Sequence, residues 1–306
     1  MKYCLGIDIG GTKTAVTLAD SSATPIITKS FPTNPKEGAV SLVERIKACY
    51  AELCKEKSIK SEQVSFCGVA CPGPLDVKKG KIVHIATMGF RNVPIREMLT
   101  EALGIPVYLE NDANCAALAE SIMGVARGAD PLVYVTISTG VGAGIITDGK
   151  ILSGALSSAG EIGHLTVEPN GRECPCGKKG CLELYSSGTA IANSATAVRS
   201  EPTDTKTVFA LARKGDKKMQ AIIENAADKL GLALSSVYHL IDPEAIVLGG
   251  SVTKDYSDFS EALNNALAKY TQPVENRKFN IKISDFGGEQ VLLGALLYAK
   301  QCVEER

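Results

Sequence analysis

Twice in this chain a strand runs into a glycine-rich turn and out into a second strand. Tyr3–Ile9 leads into Gly10-Gly11-Thr12-Lys13 and then Thr14–Ala19. About 130 residues later, Leu132–Ile137 leads into Ser138-Thr139-Gly140-Val141-Gly142-Ala143-Gly144 and then Ile145–Thr147. The shortness of the first turn makes its two strands antiparallel. Two related halves facing each other across a cleft account for the recurrence. So does the general frequency of strand–glycine–strand units in mixed α/β chains. A length of 306 residues suits two domains, at ~100–200 residues each.

The rest of the chain alternates between the two periods. A third strand is expected near Pro25–Lys29, and a helix over 36–57 with Val40, Leu42, Val43, Ile46 and Leu53 at helical spacing. Val64–Ala70 reads as a buried strand broken by Pro72-Gly73-Pro74. A short strand at Ile82–Ile85, a helix over 94–103, a strand at Val107–Leu109 and a helix over 111–123 follow. Residues 186–240 read as largely helical, with a stripe of Ile223, Ala227, Leu230, Leu234 and Val237. Ala245–Leu248 is a buried strand ending at Gly249-Gly250, and Glu289–Val303 a closing helix. This alternation predicts a mixed-sheet α/β architecture.

Composition narrows the function classes. Thirty-three basic residues against 34 acidic ones leave a formal charge of −1, which gives no footprint for nucleic acid. No stretch approaches the ~20 apolar residues of a membrane span. The N-terminus lacks the apolar run of a signal peptide, so a cytoplasmic protein is expected. Cys4, Cys49, Cys54, Cys67, Cys71, Cys115 and Cys302 sit in apolar or helical contexts and read as buried free thiols.

Cys174, Cys176 and Cys181 crowd together instead, with His164 ahead of them. Three thiols and an imidazole supply the ligands of tetrahedral zinc, and Pro175, Gly177 and Gly180 bend the chain as a ligand loop requires. With four positions filled the metal would be structural rather than catalytic. A redox pair is the alternative. Glu161 and Glu183 flank the cluster, so a metal would pin both carboxylates near it. As ordinary glutamates they would be surface residues.

The glycine turns suit an anion, because a missing Cβ lets backbone N–H groups come close. Thr12 adds a hydroxyl, Lys13 a cation, and Asp8 a carboxylate able to hold hydrated Mg²⁺. Thr139, Gly140 and Gly142 offer a second set of donors, and Gly249-Gly250 could let a nucleotide base lie against backbone. Neither turn matches the Walker or dinucleotide patterns. Glu110-Asn111-Asp112 stands where a strand gives way to a helix. An acid there serves as a helix cap or as a general base toward a sugar hydroxyl, and one residue can do both.

Taken in order, Asp8-Ile-Gly-Gly-Thr-Lys13, Glu110-Asn-Asp-Ala-Asn114, Ser138-Thr-Gly-Val-Gly142, Ala159-Gly-Glu-Ile-Gly-His164, Cys174-x-Cys-Gly-x-x-Gly-Cys181-x-Glu183 and Leu248-Gly-Gly250 resemble the ROK family of sugar kinases and regulators. The resemblance spans about residues 3 to 300. It implies an actin-like (ribonuclease H-like) duplicated fold: residues 1–110 as one α/β domain, 111–290 as a larger one with the zinc loop, and a helix over 291–306 returning to the first. It also implies ATP-dependent phosphorylation of a hexose or N-acylhexosamine at the 6-hydroxyl. Asp112 would be the catalytic base. Gly73, Thr87, Asn111, Glu161, His164 and Glu183 would meet the sugar. Asp8, Gly10–Lys13, Thr139, Gly140, Gly142, Gly249 and Gly250 would meet ATP and Mg²⁺. His164, Cys174, Cys176 and Cys181 would bind structural zinc, His164 serving both roles through its two nitrogens. Many glucose-using members carry an Asn-Leu-x-Gly-Trp-like stretch where this chain has Ala86-Thr87-Met88-Gly89-Phe90. Family members are usually homodimers. Its regulators carry a DNA-binding module ahead of the first glycine turn, where this sequence has seven residues before Asp8. A sugar kinase without nucleic-acid or membrane partners is therefore expected.

Overall fold

The computed structural model describes residues 2–275 and 277–305, with every side chain among them except that of Ala86. The chain divides into two compact units. The first holds residues 1–123, 150–159 and 286–306, and the second 124–149 and 160–285.

In the first unit, β1 (Tyr3–Ile9), β2 (Lys13–Asp20) and β3 (Pro25–Pro32) form an antiparallel meander. β4 (Val64–Cys71) pairs parallel with β1. α1 (Gly38–Glu56) crosses between them, burying Leu42, Val43, Ile46 and Leu53 while leaving Val40 exposed on the far side. Three short strands, β5 (Leu75–Asp76), β6 (Lys81–Ile85) and β7 (Phe90–Val93), make a small separate sheet of which only β6 was legible in the sequence. α2 (Ile95–Leu103) then leads to β8 (Val107–Asn111), parallel to β4, and to α3 (Asp112–Met123).

The second unit repeats the plan. β9 (Leu132–Ile137) and β10 (Val141–Thr147) are an antiparallel pair. A two-residue strand, β11 (Lys150–Ile151), belongs to the segment returned to the first unit. The helical stretch resolves into α4 (Glu183–Ser186), α5 (Gly188–Arg199), α6 (Thr205–Arg213) and α7 (Lys217–Leu240). β12 (Ala245–Gly249) lies parallel to β9, and after α8 (Ser260–Tyr270) β13 (Ile281–Ile283) lies parallel to β12. α9 (Gln290–Glu304) closes the chain in the first unit. An antiparallel hairpin whose first strand continues into parallel neighbours therefore occurs in both sheets, β2-β1-β4-β8 and β10-β9-β12-β13. The fold is a duplicated two-domain mixed α/β fold of the actin-like class.

One boundary differs from the sequence expectation. The glycine turn after β9 is confined to Ser138–Gly140, because Val141 already pairs with Ile137 and Gly142 with Thr136. Ladder hydrogen bonds to β9 hold Gly142 and Gly144 in a strand that glycine by itself disfavours. Each unit has its own apolar core: Leu5, Ile7, Val16, Ile46 and Leu109 among others in the first, and Val135, Ile145, Phe209, Leu230 and Leu248 in the second.

Candidate active site

Strand register brings the acids of the first unit to one sheet edge. Asp8 on β1 stands beside Ala70 on β4, and Ala70 beside Glu110 on β8. The C-terminal ends of three parallel strands thus deliver the Gly10 turn, Cys71 and Asn111-Asp112 together, where open α/β sheets bind their ligands. The Asp8 carboxyl is pushed up to about 7, chiefly by burial, then by the neighbouring Asp112 charge, with Lys13 opposing. Burial also lifts Asp112 above the usual carboxylate range, while the Ala113 and Asp112 backbone N–H groups and the Asn111 side chain pull it back.

Both Asn111 and Asp112 cap the start of α3. Asn111 Oδ1 accepts from the Ala113 and Asn114 amides at 2.9 and 3.3 Å and closes the start of α3. Asp112 Oδ1 also accepts from Ala113 N at 2.8 Å. Asp112 is half-buried, and the Asn111 side chain bonds its carboxylate as well. Behind them Glu110, 1% exposed, takes the Asn111 amide and Asn114 Nδ2 on a single oxygen at 2.7 and 2.9 Å.

The first glycine turn is closed by Gly10 N donating to Lys13 O at 3.0 Å, and a Cβ on Gly10 would stand 2.8 Å from that oxygen. Gly11 faces open space, with Thr12 and Lys13 exposed beside it. Thr33, fully buried at the end of β3, braces the turn. It donates its amide to Thr12 O at 2.9 Å and its hydroxyl to Gly10 O at 2.6 Å, and its carbonyl accepts from Arg45 Nη2. Sequence reasoning missed Thr33, since only the pairing of β2 with β3, Lys13 opposite Pro32, carries it there. Gly73 lies half-buried in the loop between β4 and β5, and Thr87 is exposed in a short 3-10 turn between β6 and β7. Both stand at the small sheet rather than in the hydrogen-bonded cluster around Asp112.

In the second unit Ser138 N donates to Gly140 O at 2.9 Å and closes the other turn, which carries Thr139. Gly249 and Gly250 end β12. A Cβ on Gly249 would stand 2.3 Å from the Tyr134 hydroxyl, and one on Gly250, at φ +96°, 2.3 Å from Ile137 O. Close packing on β9 thus suffices to require both glycines.

His164, Cys174, Cys176 and Cys181 place their donor atoms within 4.8 Å of one another. Cys174 Sγ is 3.9 Å from His164 Nδ1, and Cys176 Sγ is 3.6 Å from Cys181 Sγ. With metal–sulfur bonds of about 2.3 Å, the edge of a tetrahedron is about 3.8 Å, so the donor set fits one tetrahedral zinc. The loop is built for this. Cys174 N donates to Lys178 O at 2.8 Å, and Thr166 bridges to Cys181. Gly180, at φ +74°, brings backbone so close that a Cβ would meet Glu168 O at 1.8 Å. Since Nδ1 of His164 faces the thiols, Nε2 is left for another partner. Glu161 opens the 3-10 turn that carries His164. Glu183, two residues past Cys181, has its Oε2 3.0 Å from the Val141 amide, which donates to it.

The chain is similar to known proteins over nearly its whole length. A glucokinase of Halalkalibacterium halodurans is 31% identical, the match covering 98% of this chain and 96% of that one. A ROK hexokinase from Thermus thermophilus superposes with a TM-score of 0.87 at 35% identity, covering 99% of this chain and all of its own. A ROK family glucokinase from Streptomyces griseus, solved in complex with glucose and AMPPNP, superposes at 0.81 with 28% identity over 98% of this chain and 99% of that one. Over residues 4–302 the sequence matches the ROK family model, and the chain belongs to the ROK family.

Proposed function

We propose that this protein is an ATP-dependent sugar kinase that moves the γ-phosphoryl group of ATP to the 6-hydroxyl of a hexose or N-acylhexosamine, with Asp112 as general base. The observation that carries this reading is the placement of a half-buried Asp112 beside Asp8 and the Gly10–Lys13 turn at one sheet edge. Asp112 accepts the proton of the sugar hydroxyl as its oxygen bonds to the γ-phosphorus and the bond to the β-phosphate oxygen breaks, leaving ADP. Asn111 holds the same sugar, and Glu161, His164 Nε2 and Glu183 are proposed as hydroxyl partners, with Gly73 and Thr87 as further acceptor-side positions. The Gly10–Lys13 turn and the Thr139-Gly140 turn with Gly142 take the phosphates, and Gly249-Gly250 lies by the adenosine. Bound near Asp8, Mg²⁺ would neutralise charge developing on the phosphate oxygens. The Cys/His set would hold zinc structurally, keeping Glu161, His164 and Glu183 in one loop.

A coupled ADP-release assay with Mg-ATP and glucose, mannose, fructose, allose, N-acetylglucosamine and N-acetylmannosamine tests the reading. Turnover dependent on one of these sugars supports it and names the acceptor. Absence of sugar-dependent ADP release across the panel, with folded and metal-loaded protein, overturns it.

A further inference from the structure

Glu183 does something in the second unit that neither its charge nor its neighbourhood to the Cys/His set requires. Its Oε2 accepts from Val141 N at 3.0 Å, on the residue where the Ser138–Gly140 turn enters β10. The same oxygen occupies the space beside Gly140, where a Cβ would stand 2.4 Å from it. The chain that follows Glu183 grips the other end of the turn, since Gly188 N donates to Ser138 O at 2.7 Å. Thr205 Oγ1 in turn donates to Gly188 O at 2.7 Å. Glu183 itself is placed from the other side, because Leu182 N donates to Leu165 O at 2.9 Å and Cys181 bridges Thr166. Both ends of the turn are therefore fixed by the segment leaving the Cys/His loop.

We propose that Glu183 is a positioning residue for the Ser138–Gly140 turn: its carboxylate latches the Val141 amide and holds the turn's backbone donors in the conformation that receives nucleotide phosphate. This rests on the nucleotide reading of that turn and adds a role to Glu183 beyond contact with the acceptor. Oε2 faces the turn, and Oε1 is left for a sugar hydroxyl. Gly140 is glycine because the latch fills the place of its side chain. Its φ is outside the left-handed region, so an alanine there fits the backbone and displaces the carboxylate.

A carboxylate beside phosphate also repels it, so the test must separate charge from latch. Glu183→Gln keeps the accepting oxygen and removes the charge, whereas Glu183→Ala removes both. Mg-ADP binding is measured by calorimetry without sugar, with circular dichroism and thermal melts to establish folding. Glu183→Gln should bind as tightly as wild type or tighter, and Glu183→Ala about tenfold more weakly than Glu183→Gln, the upper end of what a neutral hydrogen bond is worth. Gly140→Ala should weaken binding about as much in the wild type, and by less than about twofold once Glu183 is already Ala, since both substitutions break one interaction. Equal binding by the Ala and Gln variants would overturn the latch and leave the nucleotide reading standing. So would an undiminished effect of Gly140→Ala in the Glu183→Ala background, which does not depend on the first comparison. No Mg-ADP binding by folded wild type would overturn both.

Discussion

Asp112 spends one oxygen on the Ala113 amide, and burial raises its pKa against the pull of its hydrogen bonds. A base must be ionised to work, and a raised pKa means protons reach it sooner as pH falls. The rate should therefore drop on an acid limb that lies above the ~3.9 of an unperturbed aspartate. A pH–rate profile flat down to pH 4 would contradict the assignment. Asp8 permits a stability test. Its carboxyl titrates near 7 in the fold against 3.8 ordinarily, so the folded state holds its proton while the unfolded chain loses it. The sign is destabilising: the cost is absent below about pH 4, grows to about pH 7 and is constant above. In ligand-free protein Asp8→Asn should raise the melting temperature at pH 8 and leave it unchanged at pH 3.5; a shift of equal size at both values would refute this. Motif spacing marks the candidate site residues in the sequence. Thr33 was not legible there, since its bonds to Thr14, Thr12 and Gly10 each span 19 residues or more of sequence.

At the scale of elements, helix α9 shows what periodicity conveys and what it omits. Its apolar spacing announces a helix, but its destination is written in close-approach glycines, one on α9 and one on β4. A Cβ on Gly68 of β4 would lie 1.9 Å from Ala295 O, and one on Gly294 of α9 1.8 Å from Cys115 O in α3. Backbone meets backbone at both contacts, so neither neighbour can yield. Gly294→Ala should cost at least about 2 kcal/mol in urea unfolding, by overpacking with no flexible side chain to give way; a loss under 0.5 kcal/mol would show that α9 shifts freely. The Cys/His loop was legible as a ligand set from spacing alone, because three thiols in so short a run have few other uses. Stripping the protein with a strong chelator should lower its melting temperature and expose the Cys174, Cys176 and Cys181 thiols to a thiol reagent, and added zinc should reverse both. Unchanged melting and thiol titration would argue against a metal in the loop.

At the scale of the molecule, duplication explains why two glycine turns occur in one chain. Each follows the first strand of a hairpin whose parallel neighbours carry candidate site residues to the same edge, Asp112 in one sheet and Gly249-Gly250 in the other. The recurrence of strand, turn and strand was visible in sequence. The extent of the second turn was not, because glycines that read as a loop are held in β10 by their partners on β9. Nor were β5 and β7 of the small sheet, strands of two and four residues that are too short to show a period. Family membership and likeness to sugar kinases concern the whole chain; the proposed chemistry turns on one carboxylate. The most direct measurement is the steady-state kinetics of Asp112→Asn beside wild type on whichever sugar the panel identifies. Loss of the general base should lower kcat by ~10²–10⁴-fold with KM for ATP changed by less than about twofold. A kcat within threefold of wild type would remove Asp112 from the reaction and the proposed mechanism with it.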